Sequence, residues 1–178
     1  LIAELPTDNT TYSIAFSPNN QYVLTAGKSA AVLWDLEGNV LKRYPHDATV
    51  YKAVFSPDGT KVLTGSWDRT TKLWSLEGGL IQEFDSDYTY SVDFAPNGKE
   101  ILTSGLDNVK VWDLQGNLLR ELKGHTDRIR TAIFAGDQSM IISGSYDYTI
   151  KLWPLRGQVI DDFDALKYSY NNFDLSSN

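Results

Sequence analysis

Cysteine is absent from this 178-residue sequence, which excludes disulfides, thiolate nucleophiles and thiolate metal sites and leaves no record of the redox compartment. Histidine occurs twice, and no His/Cys cluster has the spacing of a metal site. Basic residues are in the minority, 16 Lys and Arg against 23 Asp and Glu. The net charge of −7 therefore argues against nucleic acid or an anionic membrane as the partner. No apolar run approaches the roughly 18 residues of a membrane span. No leader peptide is recognisable in a chain that opens on Leu1, and the expected location is cytoplasmic. There is no nucleophile elbow and no phosphate-binding glycine loop, so the chain is not read as an enzyme and no cofactor or metal is expected. Acidic clusters at 85–87 and 161–164 lack the ligand spacing and turn glycine of a calcium loop and read as solvated faces. Apolar residues at a helical period are missing from every window.

What is present is a repeat. "GSWDRTTKLW" (65–74) returns as "GSYDYTIKLW" (144–153), sharing Gly, Ser, Asp, Thr, Lys, Leu and Trp. Aligning Trp34, Trp74, Trp112 and Trp153 gives spacings of 40, 38 and 41 residues. Each Trp is preceded by a run such as "YKAVFSP" (51–57) and a second such as "KVLTGS" (61–66). Each is followed by a Gly-bearing turn ("LEGN", "LEGG", "LQGN", "LRGQ") and a fourth run such as "LIQEF" (80–84). The runs are short, rich in β-branched and aromatic residues, and bounded by Gly, Pro, Asn and Asp, which marks strands. Gly38, Gly78, Gly116 and Gly157 recur at one place and fit the positive-φ position of a hairpin turn. Four strands per unit of about 40 residues predict an all-β fold, a β-propeller of four-stranded antiparallel blades.

These residues resemble the WD-repeat β-propeller family over essentially the whole chain. The signature dipeptide stands at Trp34-Asp35 and Trp112-Asp113, while Trp74-Ser75 and Trp153-Pro154 depart from it; Gly-His appears once, at Gly124-His125. The resemblance implies a structural tetrad in two repeats: His46, Thr64, Asp68 and Trp74, and His125, Ser143, Asp147 and Trp153. A turn carboxylate orients an imidazole, which meets a hydroxyl, which meets the indole N–H. Counting back from the strand Phe places Thr7 and Asp85 at the His position of the first and third repeats. Those two repeats keep Thr25, Thr103 and Asp107 and are expected to rely on apolar packing more than on a polar network.

The predicted divisions are 1–5 (outer strand of a preceding blade), blades at 6–44, 45–84, 85–122 and 123–163, and the start of a further blade at 164–178. There, "FDLSSN" (173–178) resembles "VDFAPN" (92–97), with Leu175 or Phe173 at the strand Phe position. Family rings usually have more than four blades, so the chain reads as an excerpt of a larger ring, or as half of one completed by a second copy. The resemblance also implies that one end of the ring is lined by the residue before the turn Asp and by those four and six before the strand Phe. Here these are Trp67, Leu106 and Tyr146, with Lys28 nearest in the first repeat, and Thr10, Tyr12, Thr49, Tyr51, Tyr88, Tyr90, Arg128 and Arg130. A Tyr/Trp/Arg surface is the composition of interface hot spots. The expected function is a protein- or peptide-binding scaffold or sensor module of a larger multidomain protein. The alternative is an accessory propeller of an enzyme, or a small-ligand propeller, whose site lies in other blades.

Overall fold

A computed structural model describes residues 4, 5, 7 and 10–155. These residues form fifteen strands and no helix. The first sheet is β1 (Ser13–Phe16), β2 (Tyr22–Ala26), β3 (Ala30–Asp35) and β4 (Val40–Pro45). The second is β5 (Val50–Phe55), β6 (Lys61–Ser66), β7 (Thr70–Ser75) and β8 (Leu80–Asp85). The third is β9 (Ser91–Phe94), β10 (Glu100–Ser104), β11 (Asn108–Asp113) and β12 (Leu118–Lys123); the fourth holds β13 (Ile129–Phe134), β14 (Met140–Ser145) and β15 (Ile150–Pro154). Every sheet is an antiparallel meander in chain order. The expected strands at 1–5 and 159–163, the start of a further blade and Gly157 lie outside the described residues or mostly so.

Local chemistry sets the turns. Gly38, Gly78 and Gly116 take φ of 92°, 93° and 91° between the third and fourth strands. Asp35 closes the first of these turns by accepting from Asn39 N at 2.7 Å and Asn39 Nδ2 at 2.8 Å. Asp113 and Asn117 repeat the device in the third sheet. The turn after the first strand also needs a left-handed residue, supplied by Gly59 and Gly98 in two repeats and by Asn20 and Gln138 in the others.

The core is three seams between successive sheets. Leu24, Leu33 and Tyr44 of the first sheet bury Ala53, Phe55, Val62 and Trp74 of the second. Leu63, Leu73 and Phe84 meet Val92, Phe94 and Trp112. Leu102, Val109 and Val111 meet Ile129, Ala132 and Phe134. Each sheet thus covers its neighbour's apolar face, the nearest-neighbour logic of a repeat architecture. Among the described residues no sheet covers the end face of the first sheet: Phe16 is 65% exposed, whereas its counterpart Phe55 is 9% exposed.

The first strand of every sheet lies innermost, packed on its counterparts in the adjoining sheets. Ser91 Oγ donates to Ala132 O at 3.3 Å, and Phe134 N donates to Asp93 Oδ2 at 2.9 Å, tying β9 to β13. This arrangement gathers the starts of β1, β5, β9 and β13 around one central mouth.

Candidate functional site

At that mouth, residues 39 or 40 positions apart in sequence meet. Tyr12 directly precedes β1 and is held there by its N–H bonding to Ala26 O at 2.9 Å. Its ring centre lies 4.8 Å from that of Tyr51, which lies 5.2 Å from Tyr90. Trp67, in the turn between β6 and β7, stands 5.2 Å from Tyr51, 5.6 Å from Tyr90 and 5.9 Å from Tyr88. The tilted and edge-on geometries are those aromatic rings favour. The Arg130 guanidinium lies 5.6 Å from the centres of both Tyr51 and Tyr90. Trp67 remains 38% exposed and Tyr12 44%, while Tyr90 is buried. Packing among these rings and the neighbouring Tyr12 and Tyr90 hydroxyls push the Tyr51 hydroxyl pKa upward, against the pull of Arg130. Tyr12, Tyr51, Tyr90, Arg130 and Lys52 border a pocket of about 160 Å3.

The remaining expected residues stand around this cluster rather than in it. Leu106 and Tyr146 are exposed in their own turns. Arg128 is exposed; its N–H bonds to Asp127 Oδ1 and its carbonyl accepts from Tyr146 N at 2.9 Å. Thr49 contributes its carbonyl to Trp67 N, and Lys28 lines a separate cavity beside the first sheet. Sequence reading missed Arg69, whose guanidinium lies 5.9 Å from the Tyr88 ring centre, and Lys52. Arg69 takes φ of 70°, a left-handed conformation that re-aims its side chain, and a bare sequence carries no signal for that.

The two expected tetrads are assembled. His46 Nδ1 is 2.7 Å from Asp68 Oδ2, His46 Nε2 is 2.7 Å from Thr64 Oγ1, and Trp74 Nε1 donates to Thr64 Oγ1 at 2.9 Å. The corresponding distances at His125, Asp147, Ser143 and Trp153 are 2.7, 2.7 and 2.8 Å. A carboxylate only accepts, so Nδ1 carries the proton and Nε2 accepts from the hydroxyl. Burial holds the His46 pKa below the ordinary imidazole range, against the attraction of Asp68. Both ring nitrogens are occupied and neither imidazole exposes side-chain surface, so these histidines are not open to a ligand.

The third repeat corrects the expectation. Phe84 pairs with Thr71 as Tyr44 pairs with Ala31, so the residue matching His46 is Ser86, not Asp85. The loop that follows is one residue shorter there, which misleads a count taken backward from Phe94. Ser86 is buried and bonded to Thr71 Oγ1 at 2.9 Å and Thr89 Oγ1 at 3.0 Å. Lys110 Nζ reaches Asp87 at 2.9 Å and lies 6.0 Å from the Trp112 ring centre, so this blade does have a polar network of its own. Asp107 is exposed and takes no part. In the first repeat the described residues keep the indole bond, Trp34 Nε1 to Thr25 Oγ1 at 2.9 Å, beside a cavity of about 60 Å3 lined by Thr7, Thr11 and Lys28 among others. Among the described residues no three His, Asp or Glu gather as metal ligands.

The sequence profile of the WD40 family (WD domain, G-beta repeat) matches residues 2–35, 38–75, 79–113 and 116–154, one match per sheet, each ending within one residue of the strand Trp or its neighbour. The chain belongs to the WD40 family. Curated relatives of this WD40 chain include the probable coatomer subunit beta' of Schizosaccharomyces pombe, 38% identical over 94 residues, covering 48% of this chain and 12% of that protein. Mitochondrial division protein 1 of the same organism is 35% identical over 101 residues, covering 54% and 15%. A ribosome biogenesis protein WDR12 homolog of Drosophila virilis is 29% identical over 120 residues, covering 63% and 29%. The chain thus spans less than a third of the length of each of these relatives. WD40 domains are in general non-catalytic scaffolds that mediate protein–protein interaction.

Proposed function

We propose that this WD40 chain is a protein-interaction module that binds a protein or peptide segment at the central mouth, without turnover. The observation that carries the reading is the contact network of Tyr12, Tyr51, Trp67, Tyr88, Tyr90 and Arg130. Rings that already brace one another lose little entropy on docking, so the area they bury is retained as affinity. A pocket of about 160 Å3 admits a side chain rather than a folded element. The relatives' names point to three different processes, so none is carried over; we place the module within a larger scaffold or sensor protein.

The test is selection of peptides from a random displayed library by the immobilised chain, followed by titration of the selected peptides. Trp67→Ala and Tyr51→Ala each reduce affinity about thirtyfold, the size of a hot-spot loss. Glu77→Ala, in the exposed turn at the other end of β7, leaves affinity unchanged. Peptides that bind both mouth variants as well as the parent chain overturn the reading.

A further inference from the structure

The mouth has a chemical preference built into Arg130, and the inference rests on the mouth being the contact surface. Arg130 belongs to β13 of the fourth sheet, yet its guanidinium spans rings of the third and second sheets, Tyr90 and Tyr51. Cation–π contact with both rings holds the charge between them. Among the described residues its side chain meets these two rings and no hydrogen-bond acceptor, so its N–H donors remain available. Among the described residues no carboxylate stands within ion-pair distance of Arg130, although the chain is acidic overall and Lys72, Lys110 and Lys123 all have such partners. Arg130 is exposed. A fixed, solvent-facing guanidinium with unused donors is a receptor already formed.

The surroundings decide which ligand it suits. A cationic side chain is disfavoured, since Arg130 already occupies the Tyr51 and Tyr90 faces and repels a second positive charge. The other cation of the pocket, Lys52, acts on the half-buried Asp93 carboxylate, which Phe134 N also binds. Among the described residues that line the pocket, one uncompensated positive charge therefore remains, that of Arg130. That matches a monoanionic carboxylate, whose two oxygens fit the guanidinium fork, better than a phosphate dianion that calls for a second free cation. We propose that the mouth takes one Asp or Glu side chain from an acidic segment of the partner, its carboxylate paired in bidentate fashion with Arg130 among the Tyr12, Tyr51 and Tyr90 rings.

The experiment uses three pools of fluorescein-labelled random heptapeptides with Glu, Gln or Lys fixed at the centre, titrated against the 178-residue chain by fluorescence anisotropy. The Glu pool binds about tenfold tighter than the Gln pool, the Lys pool binds weakest, and the Glu advantage shrinks as salt is added. Arg130→Gln removes the preference, whereas Arg120→Gln, which deletes an exposed charge on β12, keeps it. Circular dichroism verifies folding, and Arg130→Lys, which keeps the charge without the fork, shows a reduced preference. Equal binding of the Glu and Gln pools, or a preference that survives Arg130→Gln or is undiminished in Arg130→Lys, overturns the proposal. If the pools bind alike and Trp67→Ala abolishes all of them, the carboxylate is refuted while the contact surface stands. If no pool binds, both fall.

Discussion

Gly65 and Gly144 hold the same place in the two near-identical decamers, yet an added methyl group has very unequal consequences at the two sites. A Cβ built on Gly65 lies 2.6 Å from Thr89 Cγ2 and 2.7 Å from Val92 Cγ1, well inside ordinary contact distance. Neither neighbour can yield cheaply. Thr89 and Val92 are each 1% exposed in the seam between the second and third sheets, and the Thr89 hydroxyl donates to Asp87 O at 2.8 Å. Rotating Thr89 away breaks that bond, and moving Val92 opens the seam. Overpacking of this kind costs about 1–3 kcal/mol, and two rigid neighbours place Gly65→Ala near the upper end. At Gly144 the nearest atom among the described residues is Thr131 Cγ2 at 3.5 Å, an ordinary contact, so Gly144→Ala is near neutral. With a urea m-value of about 2 kcal/mol/M, the midpoint of Gly65→Ala falls by about 1 M while that of Gly144→Ala barely moves. Shortening Val92 to Ala in the Gly65→Ala background recovers part of the loss, because the two sites are in contact and their effects are not additive. Equal midpoints for the two glycine variants, or strict additivity of Gly65→Ala with Val92→Ala, refute the seam argument.

Three further outcomes are expected. Asp68→Ala removes the acceptor of bonds from His46, Asp47 N and Thr70 and lowers stability by about 1–3 kcal/mol in urea denaturation; an unchanged midpoint would sink the network reading. Acidification destabilises in two windows. Folded His46, its pKa lowered by burial, resists the proton that the unfolded chain takes up below about pH 6.5. Burial alone raises the Asp68 carboxyl, but bonds from Thr70 and His46 outweigh it and bring it from 3.8 to about 2, so a second loss follows between those values. His46→Gln flattens the pH dependence of the urea midpoint between pH 6.5 and 5, and an unaltered slope rejects the first window. Phe16→Ser, on the uncovered end face, reduces self-association in sedimentation velocity while shifting stability by less than about 0.5 kcal/mol; undiminished association shows that this face is not responsible.

Much of the fold was legible because each sheet is written in the same order of runs and turns. Phe55, Phe94 and Phe134 recur because each enters a seam, and Gly38, Gly78 and Gly116 recur because each sits at a positive-φ turn. The tetrads were legible for the same reason, since their four members keep fixed offsets from one Trp. The third repeat was not. Its His position was counted through a loop whose length had changed, and its Lys110 pairs with Asp87 where the matching Lys72 pairs with Glu83. The mouth was legible as a set of residues and illegible as a set of contacts. Arg130 meets Tyr51 only because three inner strands converge, and no spacing in one dimension encodes which ring a long side chain will cover.

The two decamers also separate frame from function. Asp68 and Asp147, Thr70 and Thr149, and Trp74 and Trp153 make matching bonds in both copies. Arg69 and Tyr148 take nearly the same left-handed φ, 70° and 64°. The backbone and the polar members therefore do the same work twice. What differs is the neighbour. Trp67 projects toward Tyr51, Tyr88 and Tyr90, and Arg69 toward Tyr88, because the third sheet brings its own inner strand alongside. Tyr146 and Tyr148, at the matching positions of the fourth sheet, have no ring contact among the described residues and stand 51% and 94% exposed. A side chain in this turn joins the ring cluster when the next inner strand supplies rings for it to brace against. Replacing Tyr88 and Tyr90 should therefore weaken peptide binding through Trp67 without altering the turn that carries it.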